Sequence, residues 1–348
     1  MQNQIKMAFS PFFPARWAAG GDLQTLAGHF LPGPKFLPET RLHKIPAANG
    51  DTLVMCENRP ATKKPKAAVL LMHGLGGHAD SSYMLRVADK FLRQGWSTFR
   101  LNHRGSGLGK GLAREIYHAG KSSDLLPVLD RLAELQPQHH LVLVGFSLSG
   151  NLLLKYLGEG QHVPPANLCG AIAVSPPIDL ALSAHAMRRW RNRIYDLRFT
   201  RMLKRLLREY QKKFADFSRF EFPFNLTVYD FDRIVTARLN GFSSAEDYYC
   251  RCSAKQFLAQ VSSPTLIIAG DDDPFIPKET YSGLPQSDFL HLHLTRSGGH
   301  MGFIAAAKTS WQDYRWMDEA IVKYAEALRC QKQPLSVFKQ AENWSAML

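Results

Sequence analysis

The stretch VLVGFSLSGNLLLKYL, residues 142–157, carries two rhythms that meet with almost no chain between them. Val142, Leu143 and Val144 form a short unbroken apolar run, as a strand buried on both faces does. Leu152, Leu153, Tyr156 and Leu157 recur at the spacing of a helix face. A strand that ends in Gly-x-Ser-x-small and turns directly into a helix is a nucleophile elbow. Ser147 sits at its apex, in a tight turn that holds its hydroxyl clear of the backbone. Gly145 and Ser149 flank it two residues to either side, where strand and helix pass too close for large side chains. The helix behind the serine points free amide groups and the positive end of its dipole at any negative charge forming there.

Outward from this stretch the chain keeps one alternation. Further strands are expected at residues 67–72, 96–101, 141–145, 168–174, 265–270 and 289–294. Helical patterns lie between several of them, such as SSYMLRVADKFLRQG and SSDLLPVLDRLAEL, each opened by a serine pair suited to an N-cap. Near-continuous apolar strands alternating with helices predict an α/β fold with a mostly parallel sheet covered on both faces. Leu290, Leu292 and Leu294 alternate with His291 and His293, which predicts an edge strand with its wetter face on the histidine side. The rhythm breaks across residues 176–263, which are basic, aromatic and helical and are expected to form a cap. The core is then expected at 46–175 and 264–330, an irregular arm packed on it at 1–45, and a tail at 331–348.

Composition excludes several classes of protein. The chain has 348 residues, 45% of them hydrophobic. No apolar run reaches the ~18 residues that cross a bilayer. The N-terminus lacks the unbroken apolar segment of a signal peptide. Five cysteines, Cys56, Cys169, Cys250, Cys252 and Cys330, are scattered without a CxxC pair, and reduced thiols in the cytoplasm are the expectation. No metal is expected. HGLGG at 73–77 and GSGLGKG at 105–111 lack the GK[ST] of a phosphate loop, and no GxGxxG opens a helix after the first strand. The second of these glycine-rich segments is expected as a flexible loop near the pocket.

A serine nucleophile needs a base, and the base needs an acid to hold it. The order serine, acid, histidine is that of the fold to which such an elbow belongs. TLIIAGDDDPFIP places Asp271, Asp272 and Asp273 just past a strand. Asp273 is chosen because it directly precedes Pro274, where the chain must turn back over the sheet. The other two read as a solvated turn or a weak cation site. Of the 13 histidines, His300 lies between Gly298–Gly299 and Gly302, whose bare backbone would let an imidazole approach the serine. The amides of Leu148, just after the nucleophile, and Leu75, in HGLGG, are the expected oxyanion donors.

Together FFPARWAAGGDLQTL, HGLGG, NHRGSG, YHAGKSSDL, GFSLSGN, SPPIDL, GFSSAEDYY, AGDDDPF and GGHMGF resemble the YheT-type esterase branch of the α/β-hydrolase superfamily. That branch includes eukaryotic lipid hydrolases with a membrane-anchoring N-terminal helix. The resemblance runs over residues 12–324. It implies the α/β-hydrolase fold, hydrolysis of carboxylic esters through an acyl-enzyme, and no cofactor. It places the nucleophile on Ser147, the acid on Asp273 and the base on His300. Ser149 departs from it, standing where the family has glycine. Short- to medium-chain acyl esters or glycerides are the implied substrates. The same triad would also serve an acyltransferase, and a silent ligand-binding version of the fold is a further alternative. A protease reading has less support, since nothing in the chain suggests a peptide groove.

The net charge of +13 is concentrated, with eleven Lys or Arg between Arg188 and Lys213 against only Asp196 and Glu209. Leu203, Leu206, Leu207, Tyr210 and Phe214 share one helical face there. Such a helix packs its apolar face on the body, or rests on an anionic membrane surface as a peripheral contact. Nucleic acid is not expected, because no recognition motif accompanies the charge. Asp230, Asp232, Tyr248 and Tyr249 match family segments but receive no chemical role.

Overall fold

The computed structural model describes residues 11–62 and 64–330. The segment 331–348, expected as a tail, and the first ten residues lie outside the described residues.

Eight strands form one sheet in the order β1-β2-β4-β3-β5-β6-β7-β8. They are β1 (Arg41–Pro46), β2 (Thr52–Asn58), β3 (Ala68–Met72), β4 (Ser97–Asn102), β5 (Leu141–Phe146), β6 (Leu168–Val174), β7 (Thr265–Gly270) and β8 (Leu290–Thr295). The pairs β1–β2 and β2–β4 are antiparallel and the rest are parallel. Alternate residues of β3 and β5 point to opposite faces. Leu70 and Leu143 join a core with α3 (Leu125–Leu135) and α4 (Leu148–Gly158). Val69, Leu71, Val142 and Val144 join the other core, with α2 (Ser82–Arg93) and the C-terminal helix α10 (Trp316–Cys330). Both faces of these strands are covered, which is why they carry no polar alternation.

The two strands absent from the sequence reading are β1 and β2. Cys56, Glu57 and Asn58 of β2 are all fully buried, so polarity hid the strand. Glu57 is kept there by His43, at 2.8 Å, and Arg59, at 2.6 Å. Residues 1–45 are not wholly irregular: α1 (Gly21–Phe30) is a helix, and β1 carries the sheet back across the boundary drawn at residue 45. The edge strand β8 is where it was expected, with its faces exchanged. His291 and His293 are half-buried, the latter stacked on Trp316, while Leu292 and Leu294 are exposed. A helix covers the histidine side. Of the two serine pairs, Ser81 takes the N-cap position of α2 with extended backbone, although its hydroxyl accepts from His78 N at 3.0 Å rather than from the helix, whereas Asp124 and not a serine precedes α3.

Between β6 and β7 the described chain is helical. It contains α5 (Leu180–Met187), α6 (Arg193–Lys213), α7 (Val228–Phe231), a π-helical turn Asp232–Thr236, α8 (Ala237–Leu239) and α9 (Ala245–Cys252). On α6, Leu203, Leu207 and Tyr210 are buried in a cluster with Leu226, Phe231, Ile234 and Val235 of the same segment and Ile116 of the core, while Arg201, Arg205 and Arg208 are exposed.

The segments NHRGSG and YHAGKSSDL are joined by Arg104, whose side chain is 1% exposed. Its guanidinium donates to Asp124 at 2.7–3.0 Å, pairs with Asp51, and lies 3.4 Å from Glu115. Removing the cation would leave Asp124, buried and bonded through its side chain to Arg104, without that partner in a low-dielectric site, while Asp51 keeps the amides of Arg114 and Glu115 and Glu115 keeps Lys121. Arg104→Met is therefore expected to cost about 3–5 kcal/mol in urea unfolding. Residues 105–111, just beyond, form a 3-10 turn under Tyr210 and do not line the main cavity.

Candidate active site

Parallel register brings the ends of β3, β5 and β6 level, with Met72 beside Gly145 and Gly145 beside Ala173. The chain after each strand emerges at the same edge of the sheet. There Ser147 adopts φ 51°, ψ −118°, a conformation rare for a residue with a side chain and strained unless its surroundings hold it. Gly145 is required by close approach, since a Cβ there would sit 2.4 Å from the carbonyl oxygen of Ser149.

Three residues chosen from the sequence come together. His300 Nε2 lies 2.9 Å from Ser147 Oγ, and His300 Nδ1 lies 2.7 Å from Asp273 Oδ2. The carboxylate accepts the Nδ1 proton, which leaves Nε2 as acceptor for the serine hydroxyl. Asp273 Oδ1 accepts from the amides of Phe275, at 2.8 Å, and Ile276, at 3.1 Å, so its orientation is fixed. The neighbouring aspartates have separate partners. Asp271 faces Lys278 at 3.4 Å. Asp272 accepts from Ser297 Oγ and Gly299 N, both at 2.8 Å, and so holds the loop that carries His300.

The glycines around His300 serve a different purpose from the one the sequence suggested. A Cβ on Gly299 or Gly302 would lie 2.2 Å from the carbonyl oxygen of Gly21 or Gln24. They make room for α1 rather than for the approach of the imidazole to serine. Thr25 of that helix accepts from His300 N at 2.8 Å. Nothing in residues 1–45 read alone signals this support, because it depends on a contact 275 residues distant in sequence.

The loop 73–77 lies against the serine: a Cβ on Gly74 would touch Ser147 Cβ at 3.0 Å. Two phenols grip its backbone. Tyr83 OH accepts from Gly74 N at 3.0 Å and Tyr117 OH accepts from Gly76 N at 2.7 Å. Gly77 N donates to Gly74 O at 3.0 Å. The amide between them, that of Leu75, has no protein acceptor among the described residues. Leu148 N, first in α4, has no intrahelical acceptor either. Both residues line the cavity that contains Ser147 and His300.

Ser149 is more than a tolerated small residue. Its hydroxyl donates to the carbonyl of His73 and accepts from His103 Nε2 at 2.7 Å. Burial pushes His103 down to about 4, which keeps it neutral, with its proton on the nitrogen facing Ser149. A glycine there would leave both groups without this partner.

The cavity has a volume of about 670 Å³. Leu203, Leu206 and Leu207 of α6 roof it, and Phe231, Phe275 and Ile116 add to its apolar lining. An apolar chamber with a few convergent polar groups suits a small molecule with a hydrophobic part.

Strand order, elbow and cavity are those of an α/β-hydrolase. A family model described as serine aminopeptidase, S33 (Hydrolase_4) matches residues 63–301, and the chain belongs to that family. It is 31% identical over 336 residues to "Putative esterase YheT" of Escherichia coli, covering 92% of this chain and 95% of that one. It is 26% identical over 340 residues to monoacylglycerol lipase ABHD2 of Danio rerio, covering 91% and 79%. Among solved structures, the Pyrococcus furiosus esterase Pf2001 superposes with a TM-score of 0.55 at 15% identity over 85% of this chain and 95% of that one, a likeness of fold. The protein is a hydrolase enzyme of the esterase and lipase type. Among the described residues no helix is long and apolar enough to cross a membrane.

Proposed function

We propose that the protein hydrolyses carboxylic esters through an acyl-enzyme on Ser147. The observation that supports this most directly is the unbroken chain from Ser147 Oγ to His300, at 2.9 Å, and from His300 to Asp273, at 2.7 Å. Ser147 Oγ attacks the ester carbonyl and His300 Nε2 takes its proton. Asp273 holds the tautomer and balances the charge on the imidazolium. The amides of Leu148 and Leu75 bind the oxyanion, each worth about 3 kcal/mol of barrier. The alcohol leaves with the proton from His300. Water, activated by the same histidine, then releases the acid. No metal or organic cofactor takes part.

Esters are favoured over peptides because two relatives matched over most of their length bear esterase and lipase names, whereas aminopeptidase describes the wider family. The roof of leucines suits short- to medium-chain acyl groups or glycerides. In this reading residues 176–263 are the cap that selects the substrate. The protein works in the cytoplasm and touches anionic membrane from outside.

The apolar face of α6 is already buried, so membrane contact falls instead to the start of that helix and to α1. Trp190 and Ile194 are 90% and 80% exposed, beside exposed Leu23 and Phe30. Arg191 and Arg198 bridge the two helices through Asp22, at 3.1 Å, and His29, at 2.6 Å. Leu26, His29 and Arg198 also line the cavity, so substrate would enter from this rim.

One experiment tests the whole reading: p-nitrophenyl esters from acetate to palmitate, with and without anionic vesicles, followed by fluorophosphonate labelling. The expected result is best turnover on chains of about four to ten carbons, set by the cavity volume, stimulation by vesicles, and label on Ser147. Folded protein that neither turns over nor labels would overturn it.

A further inference from the structure

One charged group in the cavity lining takes no part in the acyl-transfer mechanism. Asp232 opens the π-helical turn Asp232–Thr236, a distortion of a kind that recurs at functional sites. Its Oδ1 accepts from Thr236 Oγ1 and its Oδ2 from Tyr249 OH, both at 2.8 Å. Both donors are neutral. Among the described residues no Lys, Arg or His pairs with the carboxylate. Burial pushes the carboxyl up to about 6, so it still carries its charge at neutral pH. Each of its oxygens has two lone pairs and spends one on a hydroxyl. Asp232 keeps some accessible surface and lines the cavity that holds Ser147.

The acidic and basic side chains elsewhere in that lining have partners. Asp80, the second carboxylate of the lining, pairs with Arg100 at 2.6 Å. Arg198 is the one Lys or Arg of the lining among the described residues, and it donates to His29 Nε2 at 2.6 Å. Around Asp232 the wall is aromatic. Its neighbour Phe231, its partner Tyr249 and Tyr248 all line the cavity, and the rings of the two tyrosines lie 5.2 Å apart. Tyr248 is held in place by its hydroxyl, which accepts from Ala119 N at 3.1 Å. A carboxylate without a counter-charge thus borders a chamber of mostly apolar lining.

We propose that Asp232 forms a subsite for an ammonium group carried by the ester substrate. A carboxylate in a low-dielectric wall is costly until a charge of opposite sign meets it, and the protein supplies none. An ammonium meets that charge, and aromatic side chains beside it favour a cation further. A hydroxyl would bond the carboxylate but leave its charge unbalanced, and a bare alkyl chain would do neither. A metal ion needs several such ligands, and among the described residues no group of three His, Cys, Asp or Glu is placed to hold one. The ammonium belongs to the alcohol portion or to the acyl chain, and the assay tells these apart.

This inference rests on the ester-hydrolase reading and is tested with pairs of esters matched in shape and differing in charge. Octanoylcholine is set against 3,3-dimethylbutyl octanoate, and methyl 8-(trimethylammonio)octanoate against methyl 9,9-dimethyldecanoate. Wild type and Asp232→Asn are assayed on all four; asparagine keeps the size and removes the charge. In wild type, kcat/KM for a cationic ester is expected to exceed that for its neutral partner by about tenfold or more. In Asp232→Asn that ratio is expected to fall to one or below. A preference within the first pair places the cation on the alcohol, and within the second on the acyl chain. If the variant does not fold, wild type carries the test alone. The quaternary ammonium does not titrate, His300 serves both esters of a pair, and burial keeps the phenols of Tyr248 and Tyr249 protonated. The ratio then follows Asp232, full above its value of about 6 and lost as pH falls below it. No preference for either cationic ester in wild type would overturn the subsite. So would a ratio unchanged in Asp232→Asn or, where that variant does not fold, unchanged between about pH 8 and about pH 5. Absence of turnover on all four in wild type would instead overturn the ester reading, and this inference with it.

Discussion

Ser147→Ala is expected to lower kcat on a p-nitrophenyl ester by about five to six orders of magnitude, with KM changed little. Alanine removes the oxygen that His300 Nε2 faces at 2.9 Å, and with it the proposed nucleophile. The amides of Leu75 and Leu148, the proposed oxyanion donors, survive the change. Residual catalysis of about 10³-fold over water is therefore expected, by attack of solvent on bound ester. Pre-steady-state kinetics make the check decisive. The burst of p-nitrophenol in wild type should vanish in the variant, while substrate still quenches intrinsic fluorescence on binding. A burst that persists would move the nucleophile elsewhere.

Asp273→Asn is expected to cost about 10⁴-fold in kcat, a larger loss than its near-identical shape suggests. The reason lies in the two amides of Phe275 and Ile276, which donate to Oδ1 at 2.8 and 3.1 Å. They need an acceptor, so the asparagine oxygen must stay there and its NH₂ must face His300 Nδ1. That donor forces Nδ1 to be the acceptor and places the imidazole proton on Nε2. The base then points a proton at Ser147 and cannot take one. Steady-state kinetics beside an Asp271→Asn control distinguish this from loss of charge alone. Among the described residues the Asp271 carboxylate pairs with Lys278 at 3.4 Å and not with His300, and the control is expected to stay within about twofold. Equal losses in the two variants would contradict the tautomer argument.

Much of this site could be read from the chain because its constraints are local. An elbow needs small residues at fixed distances from its serine, and Gly145, Ser147 and Ser149 satisfy that within five positions. The parallel strands were visible for the same reason, being apolar on both faces. β1 and β2 were hidden because burial there depends on partners: Glu57 is an interior residue only while His43 and Arg59 bond it. Reversal of the faces of β8 has a similar cause. Leucine and histidine alternate in either case, and only the position of Trp316 decides which side is covered.

The hydroxyl of Ser149 illustrates the limit in one atom. By sequence it is a departure from glycine to be tolerated, and in the fold it joins His73 to His103. Thr25, Tyr83 and Tyr117 likewise received no role from the sequence, and Asp272 only that of a solvated turn or weak cation site, yet they position the backbone around Ser147 and His300. What the sequence determined by itself was the kind of turn, the alternation of elements and the residue types fit for nucleophile, base and acid, because these follow from steric and chemical demands over a few residues. Which amide stays free beside the serine, which helix braces the histidine and which polar groups face the cavity were decided only by tertiary structure. Those properties belong to pairs of groups far apart in the chain, and a hydrogen bond has no address until both ends are in place.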